Sequence, residues 1–409
     1  MIIYAIYHKP IGHQNLIKII FIIFSLVSVS CNKTKQVKVT EVKEIVPLIE
    51  DSYVYYPVKD NQIKVNLNKP QKASLFDYFS HIELIPLETS DNILIGYCEE
   101  IIHYQNRYYI FDRNSLSIHV FDDTGKFIFK ISKHGQGPGE YIDITSMIIN
   151  PFTGNIDLTG LGNIYSYDLS GKYIKTLFRP ENSSGYYWNF IPVNANLYVC
   201  YVGMSLDPYK INYYDVGKNT IIRKEYEDDI LLNTYFFVST NSHTPFYEYH
   251  GKWYFYRFVD NTTYEVGTDS LKPAYTWNFG KLNYDAKNLN LPNKPSSISM
   301  LPYKINLQGQ NNRYLLAQIA LKNSKADTGV YLIYDKSIDE CKYIEYFTEQ
   351  VDFLPRKVTN EFALSWCDHG TLEKYVSEGM LNENNRQKFR DLVNAKEEMN
   401  PVIIKYFFK

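Results

Sequence analysis

Residues 107–141 read RYYIFDRNSLSIHVFDDTGKFIFKISKHGQGPGEY. Aromatic and β-branched side chains dominate Tyr108–Asp112, Ile118–Asp122 and Phe127–Ile131, and such residues suit a pleated, half-buried surface. Polar turns separate the three runs. Asp122-Asp123-Thr124-Gly125 supplies an Asp that bonds its own downstream backbone and a Gly that tolerates positive φ, which a tight hairpin needs. Three hairpin-linked strands cannot bury their apolar faces alone, so similar units must stack beside them.

Copies of the unit follow. Val120–Ile128 (VFDDTGKFI) aligns with Ser166–Ile174 (SYDLSGKYI), and 46 residues separate Asp122 from Asp168. Asp215, in Tyr214–Lys218 (YDVGK), lies 47 residues further on, with a shorter turn. Thr263–Val266 and Ile333–Lys336 are weaker fourth and fifth copies. A period of roughly 40 to 50 residues with about four strands in each is the spacing of propeller blades. Helical repeats of similar period would show apolar residues three and four apart, and these segments do not.

Outward from the repeats, the 409-residue chain is 45% hydrophobic and carries 38 tyrosines, ample for a large core. Its formal net charge is −2, with no basic stripe, so nucleic acid is excluded as a partner on electrostatic grounds. Near the N-terminus, Lys9 and Lys18 precede an apolar run of 11 residues, Ile19–Val29. That run is too short for a membrane span, which needs about 20, and fits the core of a signal peptide. It leads into Ser28-Val29-Ser30-Cys31, similar to a bacterial lipobox in which Cys31 is acylated, although Ser28 stands where Leu is usual.

The chain therefore divides into a lipoprotein signal peptide (1–30), a tether (31–61) and a propeller (62–409). Strands are expected at Ile63–Leu67 and Ile82–Leu87, and blades at about 97–132, 144–177, 187–226, 234–279 and 300–347. A long polar loop, Gly280–Ser299, separates the last two. Leu372, Tyr375 and Val376 recur at helical spacing within Thr371–Met380, and Phe389, Leu392 and Val393 within Asn384–Met399. Pro401 ends the second helix, and Val402–Phe408 reads as a final strand. Exposed first and last sheet edges invite wrong pairing. The final strand is thus expected to join a sheet with the chain's start, around Ile82–Leu87, making a sixth, composite blade. The fold class is all-β: a six-bladed propeller of four-stranded antiparallel blades, with short C-terminal helices before the closing strand.

These residues resemble the six-bladed β-propeller lipoproteins of Bacteroidetes, distantly similar to NHL-repeat propellers. The matching motifs are IELIPLET (82–89), GKFI (125–128), GQGPGEY (135–141), NTTYEV (261–266), WNFGK (277–281) and NPVII (400–404). The resemblance spans nearly the whole chain after Cys31. It implies six blades, a lipid anchor at Cys31 and an envelope location, on the outer membrane at its periplasmic or surface face. It implies no activity.

Chemical signatures are sparse. The corner Gly135, Gly137, Pro138, Gly139, Glu140, Tyr141 lacks the Lys-Ser/Thr of a phosphate loop and joins strands rather than opening a helix. Pro138 presets φ and Gly139 accepts positive φ, predicting a type II turn in a structural inter-blade corner. Glu140 would cap amides there or line the pore. Asp112, Asp122, Asp168, Asp215 and Asp335 recur at strand ends as turn formers; a ring of carboxylates near the axis would be the one place for Ca²⁺. The histidines form no HExxH, no CxxC exists and no GxSxG elbow occurs, so no catalytic residue, metal ligand or other cofactor is assigned. Cys98, Cys200, Cys341 and Cys367 read as buried thiols, Cys341–Cys367 being the one pair that neighbouring strands would bring together. Tyr186, Tyr187 and Trp188, beside a glycine turn, are the candidate ligand-contact patch, where exposed aromatic faces would stack on a sugar or anchor a peptide. The function expected is a membrane-anchored binding or scaffold module for a glycan or protein partner. The alternative is a metal-dependent propeller hydrolase or lyase, similar in architecture to gluconolactonases or NHL-type lyases.

Overall fold

The computed structural model describes residues 56–409 except 184–186, 188, 203–206, 228–243, 259, 285–301, 323–328, 378–379, 382 and 395–398. The signal peptide, Cys31, most of the tether and most of the Gly280–Ser299 loop lie outside the described residues.

Six sheets form a ring. Three strands come first, two of them short: β1 (Gln62–Lys64), β2 (Gln71–Ala73) and the eight-residue β3 (Phe79–Pro86). Blade one is then β4 (Cys98–Tyr104), β5 (Arg107–Asp112), β6 (Ser117–Asp122) and β7 (Phe127–Ile131). Blade two is β8 (Ser146–Asn150), β9 (Asn155–Gly160), β10 (Asn163–Tyr167) and β11 (Tyr173–Leu177). Blade three is β12 (Asn189–Asn194), β13 (Leu197–Tyr201), β14 (Tyr209–Asp215) and β15 (Thr220–Glu227). Blade four is β16 (Phe246–Tyr249), β17 (Lys252–Phe255), β18 (Thr262–Val266) and β19 (Leu271–Asn278). Blade five is β20 (Tyr303–Gln310), β21 (Tyr314–Leu321), β22 (Val330–Asp335) and β23 (Glu340–Phe347). The first strands of neighbouring blades touch, as in β4 with β8 and β16 with β20, and so line the axis.

The sixth blade closes the ring from both chain ends. Its inner strands are β24 (Lys357–Val358) and β25 (Phe362–Cys367), and its third is β26 (Val402–Phe408). The outer strand is β3, which pairs antiparallel with β26 from Val402↔Pro86 to Phe407↔His81. This is the closure expected from the apolar run at 402–408. Val402, Ile403 and Tyr406 are fully buried, so the seam is a core interface as well as a ladder of backbone bonds. Asn400 secures it: its side chain accepts from Ile95 N (2.8 Å) and donates to Glu88 O (2.7 Å).

The expected strand at Ile63–Leu67 is shorter, Gln62–Lys64, and it finds a partner that its sequence did not indicate. The strand near Ile63 does not belong to the composite blade; β1 adds in parallel to β19 of blade four, with Ile63 opposite Trp277. Then β2 adds in parallel to β23 of blade five, and Leu75 and Phe79 enter the core shared by blade five and the closing blade. The N-terminal segment is a strap across three successive blades. The expected start of blade four, at about 234, lies outside the described residues; its first described strand begins at Phe246.

The helices α1 (His369–Ser377) and α2 (Glu383–Asn394) sit between β25 and β26. They turn Leu372, Tyr375, Val376 and Phe389 onto the closing blade's core, as their spacing predicted. Connections between first and second, or third and fourth, strands of a blade are turns of two to five residues. Nearly all the long connections, including this helical insertion, leave from the other strand ends. That end of the ring is where a propeller presents its variable surface.

The seams between blades carry buried polar clusters. Between blades two and three, Asp157 accepts from Tyr198 OH (2.6 Å), Ser166 Oγ (2.6 Å) and Asn150 Nδ2 (3.1 Å). Between blades four and five, Gln308 Oε1 accepts from Thr263 Oγ1 (3.1 Å), Tyr275 OH (3.0 Å) and Trp277 Nε1 (2.9 Å). Buried polar atoms lose water, and these internal partners replace it.

Candidate functional site

The group with the strongest chemical character lies at the channel mouth, on the end with the long connections. Tyr97, Glu99 and Glu100 open the inner strand of blade one; Arg113 follows β5; Asp143 precedes β8; Tyr256 follows β17; Arg356 precedes β24. Elements from four blades therefore converge on it.

A β-bulge creates the key position. Cys98 pairs with Asp112 and Glu100 with Phe111, leaving Glu99 without a cross-strand partner. A bulge re-aims side chains, and here it separates two adjacent glutamates. Glu100 turns into the seam with blade two, where it accepts from Met147 N (2.8 Å) and Ser146 Oγ (3.0 Å). Burial pushes its carboxyl up to about 8, against the opposing pull of those two hydrogen bonds, so it holds its proton at neutral pH. Glu99 stands half-buried at the mouth, raised by burial while Arg113 and Arg356 draw it back down. Its carboxylate makes no hydrogen bond or ion pair among the described residues.

The two guanidinium groups differ. Arg113 is tied down: Nη1 meets Asp143 Oδ1 at 3.2 Å and also donates to Ile144 O. Arg356 is the more deeply set, and burial lowers it below the ordinary arginine value while Cys98, Tyr97 and Glu99 support its charge. Tyr97 presents its ring outward, 43% exposed. Its backbone is pinned at both ends, since Tyr97 N donates to Asp112 Oδ1 (2.9 Å) and Tyr97 O accepts from Arg113 N (2.9 Å). Burial opposes ionisation of Asp112, but hydrogen bonds from Ser115 and from the amides of Tyr97, Gly96 and Asn114 hold it below its usual range.

A second constellation invites comparison with a catalytic triad and does not make one. Ser115 Oγ donates to Asp112 Oδ2 (2.5 Å), meets Ser117 Oγ (2.6 Å), and Ser117 Oγ meets His119 Nε2 (2.9 Å). The hydroxyls lie between acid and imidazole, whereas a triad needs the imidazole in the middle. Asp112, Ser117 and His119 are buried in blade one, and burial lowers His119 to about 4.

The residues singled out by sequence are dispersed. In the GQGPGEY corner, Glu140 N donates to Gly137 O (3.0 Å) and Gly139 has φ +76°, the geometry of a type II turn. Glu140 Oε2 caps Gly137 N (2.8 Å), and the Tyr141 hydroxyl donates to Leu116 O (3.0 Å) from a fully buried ring. A Cβ at Gly139 would meet the Tyr173 ring of blade two at 2.5 Å, which is why the corner needs glycine there. Of the aromatic patch, Tyr186 and Trp188 lie outside the described residues. Tyr187 is fully buried in the core of blades two and three, so its ring offers no face to a ligand. Asp122, Asp168, Asp215 and Asp335 each accept from downstream turn amides, at Thr124, Ser170, Lys218 and Ser337. No group of three or more His, Cys, Asp or Glu that would hold a metal occurs among the described residues. Cys98, Cys200, Cys341 and Cys367 are free thiols, and burial raises all four, Cys341 to about 12. Reading by sequence missed Glu99, Tyr97, Arg113 and Arg356; none stands in a motif, and only the register shift after Cys98 singles out Glu99.

Ring, closure and mouth together define a six-bladed β-propeller. The chain belongs to the family described as a domain of unknown function, DUF4934, whose pattern matches residues 60–407. Among solved structures, it is similar to an exported protein of Bacteroides fragilis NCTC 9343, at 18% identity and TM-score 0.62, over 85% of this chain and 98% of that one. More distant are a member of the DUF4221 family from Bacteroides vulgatus (12% identity, TM-score 0.47, 80% of this chain and 96% of that one) and the Pan2 WD40 domain of Neurospora crassa (10%, 0.40, 72% and 80%). No curated protein matches the chain. No described helix is long and apolar enough to cross a membrane.

Proposed function

We propose that this propeller is an envelope binding module, held at a membrane by a lipid on Cys31, whose glycan or protein ligand lands on the channel mouth. One observation carries the site: the Glu99 carboxylate, displaced from its ladder by a bulge, feels the charges of Arg113 and Arg356 while its own hydrogen-bonding capacity is unspent among the described residues. A half-buried carboxylate without a hydrogen-bond donor is costly even beside positive charge, and a ligand that donates to it would relieve that cost. The apolar run before Cys31 supports export, and the similar fold of the Bacteroides fragilis exported protein is consistent with it. The hydrolase or lyase alternative finds no support in the grouping of ligating side chains among the described residues.

Photo-crosslinking in intact cells tests the placement. A photoreactive residue at Ile142, exposed beside Asp143, should capture ligand, and one at Ile338, exposed in a turn at the other end of the strands, should not. Adducts at Ile142 should fall when Glu99 is changed to Gln. Equal capture from both positions, or no change with Glu99→Gln, would remove the mouth as the site.

A further inference from the structure

The chemistry of the mouth also narrows what it holds. We propose that it binds an uncharged oligosaccharide, with one sugar ring stacked on Tyr97 and vicinal hydroxyls shared between Glu99 and the guanidinium groups of Arg113 and Arg356. This rests on the placement of the ligand at the mouth.

Three features point to sugar. First, Tyr97 is a large aromatic ring left open to solvent, 43% exposed, two residues from the half-buried Glu99 and hydrogen-bonded through its backbone to Arg113. An apolar ring face next to polar groups matches a pyranose, whose C–H face is apolar and whose edge is rich in hydroxyls. Second, the platform is rigid. Two hydrogen bonds to the Tyr97 backbone, both 2.9 Å and one of them to the Asp112 carboxylate, anchor it to the Asp112–Arg113 turn, so little backbone ordering entropy is lost on binding. Third, the polar groups are of the planar, two-pronged kind. A carboxylate accepts from two neighbouring hydroxyls, and a guanidinium donates to two oxygens in one plane.

Charge balance argues for a neutral chain. Arg113 is already paired with Asp143, Glu99 offsets Arg356, and buried Glu100 keeps its proton near neutral pH. An acidic sugar would bring a carboxylate up to Glu99 and meet repulsion there.

The test uses purified full-length protein titrated calorimetrically with glucose, xylose and mannose hexasaccharides, and with hexagalacturonate as the charged control. At least one neutral hexasaccharide should bind more tightly than hexagalacturonate. Tyr97→Ala and Glu99→Gln should each weaken that binding by about tenfold or more, as loss of a stacked ring or of a charge-assisted hydrogen bond predicts. Neither variant should melt below the wild type, because neither side chain supports the core and Glu99→Gln removes a half-buried charge. Tighter binding of the charged hexamer, or neutral-sugar binding unaffected by both substitutions, would overturn the proposal. So would the absence of any sugar binding alongside a protein adduct at Ile142 that depends on Glu99; in that outcome the mouth remains the binding site and only its sugar chemistry fails.

Discussion

Adjacent residues in one strand can meet opposite environments, and Glu99 and Glu100 do. The bulge leaves one facing the mouth and commits the other to a seam. Glu100 titrates near pH 8 when folded, against an ordinary value of 4.5. The sign follows from proton counting. Between those two values the folded chain holds a proton that the unfolded chain has released, so stability falls as pH rises through that window. Glu100→Gln should remove this dependence, because Gln can accept from Met147 N and donate to Ser146 Oγ in the same place. In thermal melts the variant should match wild type near pH 5 and exceed it near pH 8.5, by on the order of a few kcal/mol. Parallel curves across that range would show that Glu100 is ionised in the fold. None of this was visible in the letters Cys98-Glu99-Glu100-Ile101, since a bulge is a relation between two strands. Tyr187 illustrates the converse: a tyrosine after a glycine reads as a turn aromatic, yet the connector carries it into the core between blades two and three.

At the scale of elements, hairpins announced themselves and the strap did not. Asp122 and Asp168 receive the same turn bonds, from residues two and four further on, so repeated Asp-x-x-Gly was a local signal with a local cause. By contrast, β1 and β2 are three residues each and pair in parallel with strands more than 200 positions away. Gln71-Lys72-Ala73 has no alternation long enough to mark a strand. Its pairing depends on the open edge that β23 offers. Ile63 is the one fully buried side chain of β1, packed in the cluster with Trp277 and Tyr275. Ile63→Ala should therefore cost about 2–4 kcal/mol and should speed amide exchange along Thr276–Asn278 selectively. Unchanged exchange there would mean that the strap is held elsewhere.

Across the whole molecule, ring closure was legible because a run as apolar as Val402–Phe408 cannot be left uncovered, and the chain's start offered the matching strand. The site was less legible because it is assembled from four blades, with blade one supplying Tyr97, Glu99, Glu100 and Arg113 and three other blades one ordinary residue each. Closure makes the ring one cooperative object: a chain ending at Met399 lacks both β26 and the Asn400 clasp on Glu88 and Ile95. Such a chain should show no cooperative thermal transition, and a peptide spanning Asn400–Lys409 added in excess should restore one. A cooperative melt in the truncated chain alone would show that five blades are self-sufficient.

The pairing of Phe79 with Phe408 carries a consequence in time. As the nascent chain emerges, β3 has no neighbour until Val402–Phe408 is made. Hundreds of intervening residues must stay unlocked, or only provisionally collapsed, through synthesis and any passage across a membrane. Building one blade from stretches so far apart in sequence thus delays its completion until Val402–Phe408 has emerged, leaving the polypeptide before it pliable for as long as transport would require.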